Sequence, residues 1–231
     1  MDRKCIDKQL KECGVKFLPW IGKDYEAGLS YNEGGELVYG DNCGFGKRIL
    51  VLGERHYGTE DLESNFTRDV INDFLSNKPR ERWMNFFVKF ERSLACNFTK
   101  KEDSIKIWNH LAFYNYIQRS FDTSTKFPDD EDYTKAEKCF FNLLKIIKPS
   151  IVIVLGERLY QNLPGSYKTL GFTGYDGVTI EDEEEDYSVP TWKYKTPDKC
   201  CYVILPVSSP AIGYSWEFWG KFIRECVNKI G

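Results

Sequence analysis

The sequence predicts an α/β protein: a three-layer αβα sandwich around a central, mostly parallel four-stranded sheet. The first sign is a pentapeptide, Val-Leu-Gly-Glu-Arg, that occurs twice, at residues 51–55 and 154–158. It closes the runs Arg48-Ile49-Leu50-Val51-Leu52 and Ile151-Val152-Ile153-Val154-Leu155, which read as strands buried on both faces and therefore paired in parallel. Two further runs have the same character, Leu111-Ala112-Phe113-Tyr114, ending near Asn115, and Tyr202-Val203-Ile204-Leu205. Helical periodicities fill the intervals between the four runs, and that alternation specifies a layered α/β class with right-handed crossovers.

The elements follow in order. Residues 1–44 are rich in Gly, Lys and aromatic residues and read as an extended arm with turns, packed on a single domain that spans 1–231. Thr59-Glu60-Asp61-Leu62 opens a helix with its acids where the dipole favours them, and Val70, Ile71, Phe74 and Leu75 form its apolar stripe. A helix over 80–95 buries Trp83, Phe86, Phe87, Phe90 and Leu94, whereas 105–108 is short and mixed. Residues 132–147 carry Ala136, Phe140, Leu143, Leu144 and Ile147 at helical spacing, with Pro149 as the stop. A short helix over 157–163 precedes Pro164-Gly165, and a last helix over 215–230 holds Trp216, Phe218, Trp219 and Phe222. Between them, 170–199 is irregular and acidic and reads as loop with a strand at 191–194.

Composition excludes several classes of function. With 32 basic and 35 acidic residues the net charge is −3, so no global positive field draws the chain to nucleic acid. The acidic run at 181–186 reads as a solvated loop. Eight cysteines, without a C-x-x-C pair, read as small buried hydrophobes in a reducing compartment. No apolar leader and no run of 18 apolar residues is present, so a cytoplasmic location and no membrane partner are expected. There is no Walker A loop, G-x-G-x-x-G, G-x-S-x-G or H-E-x-x-H, and a site without metal or cofactor is expected.

In an open α/β sheet the ligand crevice lies at the carboxyl ends of the strands. Three such ends converge here: Gly53-Glu54-Arg55-His56-Tyr57-Gly58, Phe113-Tyr114-Asn115-Tyr116 and Pro206-Val207-Ser208-Ser209-Pro210. The first reads as a tight loop running into a helix N-terminus, a place to hold an anion or polarise a leaving group. The amide of Asn115 both donates and accepts, which suits reading a base edge. Ser208 and Ser209 offer hydroxyls to a phosphate. His110, among Trp108, Leu111 and Phe113, reads as a packed or capping histidine, and Glu157 and Arg158 of the second pentapeptide as helix-start charges on the rim.

Gly53-Glu54-Arg55-His56-Tyr57, Asn115, Leu155-Gly156 and Pro206-Val207-Ser208-Ser209 occur in the order and spacing of four motifs, across residues 48–230. In this the chain resembles the uracil-DNA glycosylase superfamily. The resemblance implies the αβα sandwich, a base-binding crevice and Asn115 as base reader; Gly53, Arg55, Tyr57, Ser208 and Ser209 are expected as further substrate contacts, Arg55 and the serines through phosphate. Arg55 stands where the family's water-activating aspartate is expected, Pro206 replaces its histidine, and the cysteine ligands of its iron–sulfur branch are missing. Two expectations follow. As an enzyme, the chain would extrude a damaged or deaminated base from DNA and hydrolyse its N-glycosidic bond with Glu54 or His56 as replacement acid–base groups. As a binding module, it would hold a nucleotide, nucleobase or DNA end in the same crevice without turnover.

Overall fold

The computed structural model describes residues 2–40, 46–58, 62–76, 78–123, 126–182, 186–198 and 200–229. Cys43, Thr59, Glu60, Asp61, Lys199, Ile230, residues 183–185 of the acidic run and the boundary at residue 44 lie outside them. The chain is a mixed α/β structure built on an eight-stranded sheet.

The four strands read from the sequence are its centre: β4 (Ile49–Gly53), β6 (Leu111–Asn115), β8 (Ile151–Leu155) and β12 (Cys201–Val207) run parallel in the order β6-β4-β8-β12. The sheet has eight strands rather than four because antiparallel strands are added at both edges. At one edge β1 (Trp20–Ile21) pairs with β6, while β2 (Leu29–Tyr31) and β3 (Leu37–Tyr39) pair with each other in a separate antiparallel hairpin. At the other, β11 (Tyr187–Lys195) pairs with β12, and β10 (Phe172–Asp182) and β9 (Ser166–Tyr167) follow outward.

The hairpin of β10 and β11 occupies most of what reads as loop. Gly174 and Gly177 weaken a strand reading, but here the backbones approach so closely that a Cβ on Gly177 would lie 2.2 Å from the Thr191 hydroxyl oxygen. Glu181 and Asp182, expected in a solvated loop, belong to β10, and Asp182 meets Lys221 at 3.2 Å.

Side chains of the central strands alternate between two hydrophobic clusters. Leu50, Leu52, Tyr114, Val152 and Val154 join α1 (Arg3–Glu12), through Ile6 and Leu10, and α5 (Asp130–Ile147), through Phe140 and Leu144. Ile49, Val51, Phe113, Ile151 and Ile153 join α2 (Phe66–Phe74), α3 (Asn85–Ala95), α4 (Lys101–Asn109) and the final helix, Trp216–Lys229. Asp129 caps α5 by accepting from the Asp132 amide, with Asp130, Glu131 and Asp132 in its first turn.

Three further readings are corrected. The arm begins with a helix, α1, whose Ile6 and Leu10 are buried one turn apart. Helix α2 begins at Phe66, after a non-helical Leu62 and Glu63, so no helix N-terminus follows the first pentapeptide directly. Of the seven described cysteines, all free, only Cys139 and Cys226 are buried. Tertiary contacts place them on surfaces that spacing alone does not reveal.

Candidate functional site

A cleft of about 1030 Å³ opens at the carboxyl ends of the parallel strands. Gly53 and Asn115 end β4 and β6, Leu155 ends β8, Ser209 follows β12, and all four line it. Of the residues assigned from the sequence, Gly53, Glu54, Arg55, His56, Tyr57, Asn115 and Ser209 share this cleft; Ser208 is exposed and does not line it.

The first pentapeptide does not form a tight loop. Beyond β4, the carbonyls of Gly53 and Glu54 accept from the amides of Tyr116 and Ile117 at 2.9 and 2.8 Å. The short strand β5 (His56–Tyr57) then pairs in parallel with β7 (Ser120–Phe121). The segment is thus fixed along its whole length beside the continuation of β6.

Gly53 has a specific reason to be glycine: a Cβ there would lie 2.2 Å from Oδ1 of Asn115. The Asn115 amide packs across that vacant position and donates through Nδ2 to Nδ1 of His56 at 3.0 Å. The other ring nitrogen, Nε2, shares a hydrogen bond with Oγ1 of Thr67, also at 3.0 Å, and lies 3.3 Å from the same Asn115 Nδ2. Phe17 and Phe66 set their rings edge-on to the imidazole at 4.8 and 5.3 Å. Burial lowers the His56 pKa to about 4, so the ring is neutral at pH 7.

Phe17 comes from the N-terminal arm, which the site therefore requires. Gln118 holds the arm by accepting from the amides of Lys16 and Phe17 while donating to the Asn115 carbonyl at 2.8 Å. Arg68 adds a fork onto Asp7.

Glu54 is the hub of the charged groups. Its carboxylate accepts from Nη1 of Arg55 at 2.6 Å, the Tyr133 hydroxyl at 2.8 Å, and Nε of Arg158 at 2.7 Å, with a second bond from Nη2 of Arg158. Burial alone would raise its pKa, but the hydrogen bonds from Arg158 and Tyr133 and the two guanidinium charges outweigh it and hold the carboxyl below the ordinary carboxylate range. Arg55, whose side chain is 2 % exposed, lies among the rings of Tyr57, Phe121 and Phe127 at 4.8 to 5.3 Å. Arg158 covers the same Phe127 at 4.1 Å.

Arg158 is therefore no mere rim charge: the second pentapeptide lends its guanidinium to the glutamate of the first. The helix dipole reading could not show this, because the partner lies 104 residues away. Of the aromatic residues read as core from the sequence, Phe87 is buried in it and Phe86 packs against it, whereas Trp83 is exposed; all three also line the cleft. Asp69, Val70 and Asp73 add a wall from α2, legible only as i, i+1, i+4 neighbours on one helix face. His110 caps α4, bonding the Lys106 carbonyl through Nδ1 at 2.8 Å, in line with its reading as a capping histidine.

Among the described residues no group of His, Cys, Asp or Glu is placed to hold a metal ion, and no helix is long and apolar enough to cross a membrane. No protein-family model matches the chain, and no curated protein resembles it closely enough to carry an inference.

Proposed function

We propose that the chain is a divergent relative of the uracil-DNA glycosylase superfamily, a three-layer αβα sandwich that receives a nucleobase extruded from DNA and holds it without hydrolysing its glycosidic bond. The two separate clusters on the faces of the sheet support the layered reading. The observation that carries the functional reading is the state of the two replacement acid–base groups. At neutral pH Glu54 is a carboxylate engaged by three side chains, and His56 is a neutral ring with both nitrogens bonded inside the protein. Neither is poised to exchange a proton with a substrate, since a general acid or base needs both a suitable pKa and access to the reacting atom.

What the cleft retains is suited to a planar ring. Tyr57, Phe66, Trp83, Phe86, Phe87 and Phe113 supply aromatic surface, and Asn115 supplies an amide held in place by His56. At the mouth, Ala211 lines the cleft and the adjacent Ile212 is 94 % exposed. An exposed aliphatic side chain beside a base pocket is suited to wedge into the stack that an extruded base leaves.

The test pairs binding with turnover. Fluorescence polarisation with oligonucleotides containing uracil, hypoxanthine or xanthine should show binding that weakens about tenfold in Asn115→Ala, on the scale of one lost base contact. The same oligonucleotides should yield no alkali-labile sites. Strand cleavage that disappears in Glu54→Gln or His56→Gln would restore the hydrolase reading, and no binding to any of them would remove the base-binding one.

A further inference from the structure

Charge narrows the choice of base. Arg55 and Arg158 are the cations that line the cleft among the described residues, and both are held by the single carboxylate of Glu54. Three more carboxylates line it: Asp69, Asp73 and Glu157. The cleft wall thus has an excess of negative charge, with its positive groups already paired. Asp69 and Asp73 stand one turn apart on α2, where like charges repel. Lys78 relieves Asp73, while Asp69 is exposed and forms no ion pair among the described residues.

The aromatic part of the wall acts in the same sense. Trp83, Phe86 and Phe87 form an edge-to-face series, with ring centroids at 6.0 and 5.3 Å, and Phe74 of α2 touches Phe87 at 5.2 Å. The acidic helix and the aromatic helix are therefore adjoining walls of one space. Ring faces attract cations, and nearby carboxylates attract them further. A phosphate in this space would meet uncompensated carboxylates; a flat ring bearing positive charge would meet complementary surface on both walls.

We propose that the cleft takes a cationic nucleobase, one alkylated at a ring nitrogen, in preference to its neutral counterpart. This rests on the base-binding reading and specifies its ligand. The volume of about 1030 Å³ accommodates a purine with its ribose.

Two methylated adenosines make the comparison at constant composition. 1-Methyladenosine is a cation at neutral pH, and its isomer N6-methyladenosine is neutral. Calorimetric titration of the full chain at pH 7 should show 1-methyladenosine binding about tenfold more tightly or better, with the gap narrowing as salt is raised. Asp69→Asn/Asp73→Asn should close most of the gap, and Glu157→Gln, on a separate element, should close a smaller part. Equal affinities, a preference for the neutral isomer, or a preference that survives all three substitutions would overturn the charge assignment while leaving base binding intact. If neither isomer binds and the uracil, hypoxanthine and xanthine oligonucleotides also fail, the base-binding reading falls and this inference with it.

Discussion

The two copies of Val-Leu-Gly-Glu-Arg lie on neighbouring parallel strands, yet they are not equivalent, because the sheet pairs them one residue out of step. Leu52 is opposite Val154 and Val51 is opposite Ile153. Since side chains alternate across a sheet, a one-residue offset sends the repeated residues to opposite faces. Val51 enters one hydrophobic cluster and Val154 the other. The glycines diverge as well: Gly53 is reserved for the Asn115 amide, whereas Gly156 has φ +113° and turns the chain into α6 (Glu157–Gln161). The result is a half-buried Glu54 that gathers hydrogen bonds from three side chains and an exposed Glu157 that, among the described residues, bonds within its own helix, through Gln161. Identical local sequence acquires its role from register and from what packs beside it.

The sharpest way to break this comparison is to remove each glutamate. Glu54→Ala removes the carboxylate on which Arg55, Tyr133 and Arg158 converge and should cost about 3 to 5 kcal/mol, whereas Glu157→Ala should change stability by less than about 0.5 kcal/mol. Equal losses in urea denaturation would erase the distinction between the copies.

The imidazole that follows the first pentapeptide gives that copy a pH dependence that the second lacks. His56 takes up a proton near pH 6.5 when unfolded and near 4 when folded, so within this window the unfolded state binds more protons. Its contribution is complete above pH 6.5 and declines as pH falls toward 4, by about 3 kcal/mol in all. His56→Gln should flatten that part of a stability–pH curve. Glu54 acts in a lower window: its depressed pKa adds stability that is present above its ordinary value of 4.5 and lost as pH falls through the folded value.

The glycines should respond by different mechanisms at similar cost. Gly53→Ala forces a Cβ against Asn115 and should cost about 1 to 3 kcal/mol; Gly156→Ala strains its backbone by a comparable amount, about 1 to 3 kcal/mol. A double-mutant cycle with Asn115→Ser should show coupling for Gly53→Ala and additivity for Gly156→Ala. Coupling in both, or in neither, would refute the separate reasons given for the two glycines. A smaller effect than at either glycine is expected for Arg158→Ala. Its side chain is 43 % exposed, and about 1 kcal/mol is expected after solvent screening. The Glu54 carboxyl pKa, followed by NMR, should then rise; no change would mean that Arg158 is not the clamp.

Much of the sheet is legible before folding is considered. Ile49–Gly53, Leu111–Asn115 and Ile151–Leu155 are buried throughout, and burial on two faces leaves unbroken apolar runs in the chain. The hairpin of β10 and β11 is not legible, since most of β10 is exposed or half-buried and its glycines answer to a neighbouring backbone. Within the site, Gly53, Glu54, His56 and Asn115 can be found from their positions at strand ends. Phe17, Asp69, Trp83 and Arg158 cannot, because each reaches the cleft or, for Phe17, its histidine from an element whose placement depends on distant contacts.

The sequence by itself determined the four parallel strands, the glycines that end two of them and the polar residues just beyond. Those features depend on burial and backbone geometry within a few residues. Only the tertiary structure decided that Arg158 belongs to Glu54, that His56 is neutral, and that carboxylates from two separate helices line one cleft. Ion pairing and desolvation depend on groups far apart in the chain, and these acquire neighbours only when the helices close over the sheet.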